Sequence, residues 1–183
     1  SIGLGPFGLM NLTGPPIALH STDYLSEQLK TPRYHGAQNL RDLVAEKKMW
    51  DISQDEGYDE SQYKIISERL LGVVFGVAAQ IVNEEICTME DVDRGAKVGL
   101  RWAHGPFELM NKVGLENAHR MANQYAQLAN GGWEVPENLS GHGNADWHFK
   151  VVDTSIDNGI ATITINRPEA MNALNETVMA QLG

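Results

Sequence analysis

Gly5-Pro6-Phe7-Gly8-Leu9-Met10-Asn11-Leu12-Thr13-Gly14 and Gly105-Pro106-Phe107-Glu108-Leu109-Met110-Asn111-Lys112-Val113-Gly114 decide how this chain is read. The two stretches agree at seven of ten positions and lie 100 residues apart. Gly followed by Pro commonly opens a helix, because Pro suits the first helical position. A shared helix start would explain that pair alone. Phe, Leu, Met and Asn matching in register point instead to duplication. A single period this long is a repeated domain, not a solenoid.

Outward from the first stretch, Ile17, Leu19, Leu25 and Leu29 form a loose helical stripe. Thr31-Pro32 ends it, since the residue before Pro avoids the α region. A second helix is expected over Ala37 to Lys48, with Leu40, Leu43 and Val44 inward. The segment Trp50 to Glu60 holds Asp51, Asp55, Glu56, Asp59 and Glu60 and reads as a solvated connector. It lacks the ligand spacing of a calcium loop.

Residues 62–86 make the strongest helix. Ile65, Ile66, Leu70, Val73, Val74, Val77, Ala78, Ile81 and Val82 recur at three- and four-residue steps. Leu71 and Phe75 widen the stripe almost to a full circumference, which predicts burial at the centre of a helical assembly. Gly72 and Gly76 would let another helix come close. Thr88-Met89-Glu90-Asp91 resembles a capping box and starts a helix reaching about Gly99. Gly105-Pro106 opens another helix, and Leu115 to Asn130 forms the next, stopped by Gly131-Gly132. No alternating pattern occurs before Trp133, so this part reads as all-α.

The character then changes. Residues 134–147 are polar, with Pro136, Gly141 and Gly143, and mark a linker. Residues 149–156 and 160–165 are β-branched and alternating, and Asp157-Asn158-Gly159 between them is a hairpin signal. A helix is expected from about Asn172. An isolated two-stranded hairpin is marginal in water, so this tail must dock or remain mobile.

Composition excludes several classes. The chain has 183 residues, 42% hydrophobic, with a formal net charge of −10. Such a surface repels phosphate backbones and argues against nucleic-acid binding. The single cysteine, Cys87, precludes an internal disulfide and reads as an inert thiol, which suits a reducing cytoplasm. The apolar run Leu70 to Val82 is too short to span a bilayer. The opening Ser1-Ile2-Gly3-Leu4-Gly5-Pro6 and the closing Ala180-Gln181-Leu182-Gly183 read as cuts within a longer protein. Neither a Gly-rich dinucleotide fingerprint after a strand nor a P-loop is present. His142 and His148 flank Asp146, but no zinc spacing exists, so no metal is expected.

The second stretch, continued to Leu115, resembles the GPFEL-type motif of the 3-hydroxyacyl-CoA dehydrogenase C-terminal domain. Thr88-Met89-Glu90-Asp91-Val92-Asp93-Arg94-Gly95-Ala96-Lys97-Val98-Gly99 resembles that family's two acidic residues leading into A-x-x-x-G. Leu40-Arg41-Asp42-Leu43-Val44-Ala45-Glu46-Lys47-Lys48 resembles its late helix. These motifs cover about residues 3–135. In the tail, Asn158 to Pro168, continuing through Glu169-Ala170-Met171-Asn172-Ala173-Leu174-Asn175, is similar to the start of the crotonase (enoyl-CoA hydratase) fold.

The resemblance implies a mainly α fold. Two copies of a 6-phosphogluconate-dehydrogenase-C-terminal-like helical domain would be followed by a β-hairpin from a truncated crotonase fold. The boundaries would be 1–60 for the latter part of the first repeat, 61–135 for the second, 136–148 for a linker and 149–183 for the hydratase start. It implies a fragment of a bifunctional dehydrogenase and hydratase of fatty-acid β-oxidation, cytoplasmic and inactive alone. NAD would bind outside this fragment, and no cofactor within it. The partners implied are an acyl-CoA substrate, the protein's own Rossmann and crotonase domains, and further copies in a homo-oligomer; nucleic acid and membrane are excluded. The family's Asn in an N-R-L-L motif is replaced here by Glu68 in Ser67-Glu68-Arg69-Leu70-Leu71, so the second copy is expected to be non-catalytic and to mimic a partner subunit, with residues 62–86 packed on the first copy. No catalytic residue is expected in this chain. Gly5, Pro6, Phe7 and Met10 are implied to line an acyl-CoA cleft, or Phe7 and Met10 to be core. Ala170, Met171 and Ala173 are implied to approach CoA. The rival readings are a non-catalytic helical scaffold and a helical nucleic-acid binder.

Overall fold

The computed structural model describes residues 5–53, 57, 59–129 and 132–183. The first helical unit contains α1 (Pro6–Thr13), α2 (Pro15–Gln28), a 3₁₀ turn at Pro32–Tyr34 and α3 (Gln38–Ala45). The second contains α4 (Glu60–Asn83), α5 (Met89–Gly99), α6 (Pro106–Val113), α7 (Leu115–Leu128) and a short α8 (Glu137–Ser140). A hairpin of β1 (Val152–Asp157) and β2 (Ile160–Ile165), a 3₁₀ turn at Pro168–Ala170 and α9 (Glu176–Leu182) complete the chain.

The repeated stretches fold alike. Each gives an 8-residue helix, one Gly, then a 14-residue helix. Gly14 and Gly114 join the helices at φ 98° and 84°, a region that side chains other than Gly rarely adopt. The matched Asn does the same work in both units. Asn11 Nδ2 donates to the Trp50 carbonyl at 2.8 Å, and Trp50 N–H donates to Asn11 Oδ1 at 2.9 Å. Asn111 holds Trp147 by the same reciprocal pair, at 3.0 and 2.8 Å. The matched Phe meets the same Trp: ring centroids are 4.8 Å apart for Phe7 and Trp50, and 5.0 Å for Phe107 and Trp147. Leu40 on α3 and Leu139 on α8 are both buried.

The core lies in the second unit, where Phe75, Ala78, Ala79, Phe107, Met110, Leu115, Ala118, Met121, Ala122 and Leu139 form one cluster. Gly72 lets α4 lie directly against the α7 backbone, since a Cβ there would strike the Met121 carbonyl. Gly76 does something else: it makes room for the Trp133 indole rather than for a helix.

Two expectations for α4 need correction. It is not buried all round, because Tyr63, Ile65, Ile66 and Leu70 on its N-terminal half are exposed. Nor, among the described residues, is the first unit its main neighbour. Its neighbours are α5, α6, α7 and α8. It meets the first unit through Gln80, whose Oε1 accepts from Arg33 Nη1 at 3.2 Å. Arg33 also donates to the Tyr125 hydroxyl at 2.8 Å and sits over the rings of Tyr34, Tyr125 and Trp133. Thr31 Oγ1 donates to the Gly132 carbonyl at 3.2 Å beside it.

Helix ends shift modestly from expectation. α3 is shorter at both ends, and α7 stops at Leu128. The expected stop at Gly131 falls outside the described residues, as do Asp55 and Glu56. Residues 136–148, expected as a linker, lie on the helical body: Asn138 Nδ2 donates to the Ala79 carbonyl at 3.0 Å, and Trp147 meets Phe107.

The hairpin is antiparallel, with Val152 opposite Ile165 and Asp157 opposite Ile160. Asn158 and Gly159 have φ 49° and 81°, as a type I′ turn requires. The tail docks. Lys150 N–H donates to Glu90 on α5 at 2.7 Å, and Arg94 Nε reaches Glu169 at 3.5 Å. Gln181 Oε1 accepts from the N–H groups of Val151 and Val152 at 2.9 and 3.1 Å, which ties α9 to β1. The helix expected from Asn172 starts later. Met171 and Asn172 take left-handed φ of 51° and 56°, and Asn175 caps α9 by accepting Val178 N–H at 3.0 Å.

Candidate functional site

In the first unit Gly5, Pro6 and Phe7 are exposed and Met10 is half-buried. Phe7 keeps 49% of its surface in water. Their counterparts Gly105, Pro106, Phe107 and Met110 are all buried, the last two completely. The same sequence therefore sits open in one unit and closed in the other. In the tail, Ala170 is half-buried, Ala173 is exposed, and Met171 is 93% exposed. These residues lie on the bend after β2, which Asn172 Oδ1 holds by accepting Arg167 N–H at 2.8 Å. Neither group lines the cleft between α5 and the hairpin.

What the helical body does form is a cleft of about 430 Å³ between α5 and the hairpin. It is lined by Glu90, Asp93, Arg94, Lys97, Glu108 and Glu169, among others. Its cations have acidic neighbours. Arg94 meets Asp91 at 2.7 Å and Glu169 at 3.5 Å, Lys97 meets Glu108 at 2.6 Å, and Lys150 meets Asp153 at 2.9 Å. A charge-balanced cleft does not draw anions as a basic one would.

Asp93 is the residue that local pattern reading missed. It is 1% exposed, and its carboxylate accepts from Phe107 N–H at 2.8 Å and Glu108 N–H at 2.9 Å. Gly105 at the N-cap has no side chain to offer, so a carboxylate from α5 caps α6 instead. A Cβ on Gly105 would strike that carboxyl group, so the glycine is required by its neighbour. Glu108 completes the arrangement by accepting Gly105 N–H at 3.0 Å and Lys97 Nζ at 2.6 Å. Burial pushes the Asp93 carboxyl above its ordinary value, against the pull of the two N–H donors. Burial also acts to raise Glu108, but the Lys97 ammonium and the Gly105 N–H outweigh it and hold Glu108 below the usual range. The signal available in sequence was the pair of acidic residues ahead of Ala96 and Gly99.

Glu68, expected to replace the Asn of the resembled motif, lies on α4. Both its oxygens accept from Arg120 on α7, at 2.9 and 3.0 Å, and the Arg120 hydrogen bond lowers its pKa. An engaged carboxylate of this kind clamps α4 to α7. No cluster of three or more metal-ligating side chains occurs among the described residues.

Residues 65–144 match the family model of the 3-hydroxyacyl-CoA dehydrogenase, C-terminal domain. That span covers most of α4 and all of α5 to α8, so it is the second unit that is similar to that helical domain. No curated protein and no solved structure matches the chain. The family is generally NAD-dependent, and its NAD-binding part lies outside this domain.

Proposed function

We propose that this chain is part of a bifunctional enzyme of fatty-acid β-oxidation. One activity is NAD-dependent 3-hydroxyacyl-CoA dehydrogenase and the other is enoyl-CoA hydratase. The helical units are two copies of one domain that contribute to acyl-CoA binding and to a pseudo-dimeric assembly. The observation that carries this reading is the repeated Phe–Asn–Trp lock, built on helices of equal length in a segment whose second copy matches the dehydrogenase domain. Glu68 gives the second copy a clamp in place of a catalytic amide, and the open first copy is the one that meets substrate. NAD is held by residues outside these units. The hairpin resembles the opening of a hydratase, and the exposed bend at Ala170, Met171 and Ala173 approaches CoA.

Acyl-CoA contact is tested by titrating the enzyme containing this chain with butyryl-CoA. Met171→Glu and, separately, Met10→Glu are expected to weaken binding about tenfold or more, because a charge would enter an apolar contact. Unchanged affinity in both variants would refute those contacts. A second reading of Phe7 and Met10, as packing positions, is favoured by the complete burial of Phe107 and Met110.

A further inference from the structure

The cations that line the cleft between α5 and the hairpin are matched by carboxylates, as Arg94, Lys97 and Lys150 are. A second cleft, of about 390 Å³, lies between the first half of α4 and the end of α7, and it is not balanced in that way. Ile65, Glu68 and Arg69 line it from α4, and Gln124, Gln127 and Leu128 line it from α7. Its size is within the range of about 300–1,000 Å³ usual for small-molecule sites.

Three observations describe what such a cleft holds. The first is charge. Glu68 is already taken by the fork of Arg120, which donates to both its oxygens at 2.9 and 3.0 Å. Arg69 has no ion-pair or hydrogen-bond partner among the described residues. One uncompensated guanidinium is therefore left in the cleft, and its planar fork suits a carboxylate. The second is the surroundings of that charge. Gln124 Oε1 accepts from Arg120 Nη1 at 3.4 Å, which leaves the Gln124 amide nitrogen to donate, and Gln127 adds another amide. Beside them Ile65 and Leu128 each keep more than half of their surface in water. The third is that the cleft belongs to the second unit alone. At the offset of 100 residues, Tyr24, Glu27 and Gln28 on α2 stand for Gln124, Gln127 and Leu128. Glu27 would repel an anion, and Gln28 would replace the apolar end.

We infer that the α4–α7 cleft binds a monocarboxylate with an apolar tail, of the medium-chain fatty-acid class. The carboxylate pairs with Arg69 and accepts from the Gln124 and Gln127 amides, and the tail lies over Ile65 and Leu128. Neither half of the cleft is enough alone. An exposed Arg holds a small anion weakly in water, and two apolar side chains hold a neutral chain weakly. The acyl-CoA reading concerns α1 and the bend after β2, so the two stand independently.

The probe is sodium octanoate, titrated into the full chain while NMR follows the Ile65 and Leu128 methyl groups and the Arg69 Nε–H. The shifts should saturate with a Kd below about 1 mM. Acetate and octanol each carry half of the required chemistry and should bind at least about tenfold more weakly. Arg69→Gln should weaken octanoate at least about tenfold, and Arg69→Lys should weaken it less, since the charge stays while the fork is lost. Leu128→Asn should weaken octanoate and leave acetate unchanged. Both positions are exposed, so the amide spectrum elsewhere should not move. Four results would overturn the inference: no saturation by about 3 mM octanoate; octanol binding as tightly as octanoate, meaning an apolar patch only; acetate or phosphate binding as tightly, meaning an exposed cation only; or undiminished octanoate binding by Arg69→Gln.

Discussion

At the residue scale, Asp93 carries the most consequence. Asp93→Ala leaves the Phe107 and Glu108 N–H groups without their acceptor in a buried place. Such a loss costs about 1–3 kcal/mol, to be measured by urea unfolding. Asp93→Asn retains one acceptor oxygen and should cost less. The pH dependence has two opposed parts. Glu108 has a folded pKa below its ordinary 4.5, so the stability it contributes is present above pH 4.5 and is lost as pH falls through the lower folded value. Asp93 has a folded pKa above 3.8, so its contribution is present below pH 3.8 and is lost as pH rises through the raised value. Glu108→Gln should therefore flatten the acid limb of the stability profile below pH 4.5, and Asp93→Asn should steepen it. Identical acid limbs in all three proteins would contradict this assignment. The cap was invisible to local reading because it crosses 14 residues, from α5 to α6, while cap patterns are recognised within one turn.

At the element scale, the apolar stripe of α4 was plain, but its surroundings were not. Periodicity reports which residues are apolar, and it cannot say which of them find a neighbour. The C-terminal half, with Phe75, Ala78 and Ala79, meets the core, while Ile65, Ile66 and Leu70 stay exposed. The close approach predicted for the Gly72 and Gly76 pair holds at Gly72 alone. Gly72→Ala should force α4 and α7 apart, costing about 1–3 kcal/mol by overpacking, with a lower urea midpoint and an unchanged slope. The hairpin was legible down to its turn, since Asn-Gly dictates both left-handed positions. The helix after it was placed too early, because the sequence around Met171 and Asn172 gives no warning of two consecutive positive φ values.

At the scale of the whole molecule, the two matched stretches lie in two helical units that meet at Thr31 and Arg33. The Arg33 guanidinium has polar partners in Tyr125 and Gln80 and three aromatic rings within 5.6 Å. Cation–π contacts of this kind contribute about 0.5–2 kcal/mol each. Arg33→Met should let the first unit open without unfolding the second. Amides in α1 and α2 would then exchange faster while those in α7 keep their protection. Equal loosening of both units would mean that they form one cooperative body. The repeat motif and the class of the second unit were readable because they rest on local sequence. The joint was not, since Arg33 and Tyr125 are 92 residues apart and nothing in either neighbourhood names the other.

The most direct test is NAD-dependent oxidation of 3-hydroxybutyryl-CoA, followed as NADH formation. It compares this chain with the same chain joined to a dinucleotide-binding domain of the dehydrogenase class. No turnover is expected of the chain alone, and turnover is expected of the joined protein, reduced by Met10→Glu and unaffected by Glu68→Gln paired with Arg120→Gln, which removes both charges of the α4–α7 clamp. Turnover by the chain alone, or none in the joined protein when it is folded and binds NAD, would contradict the account.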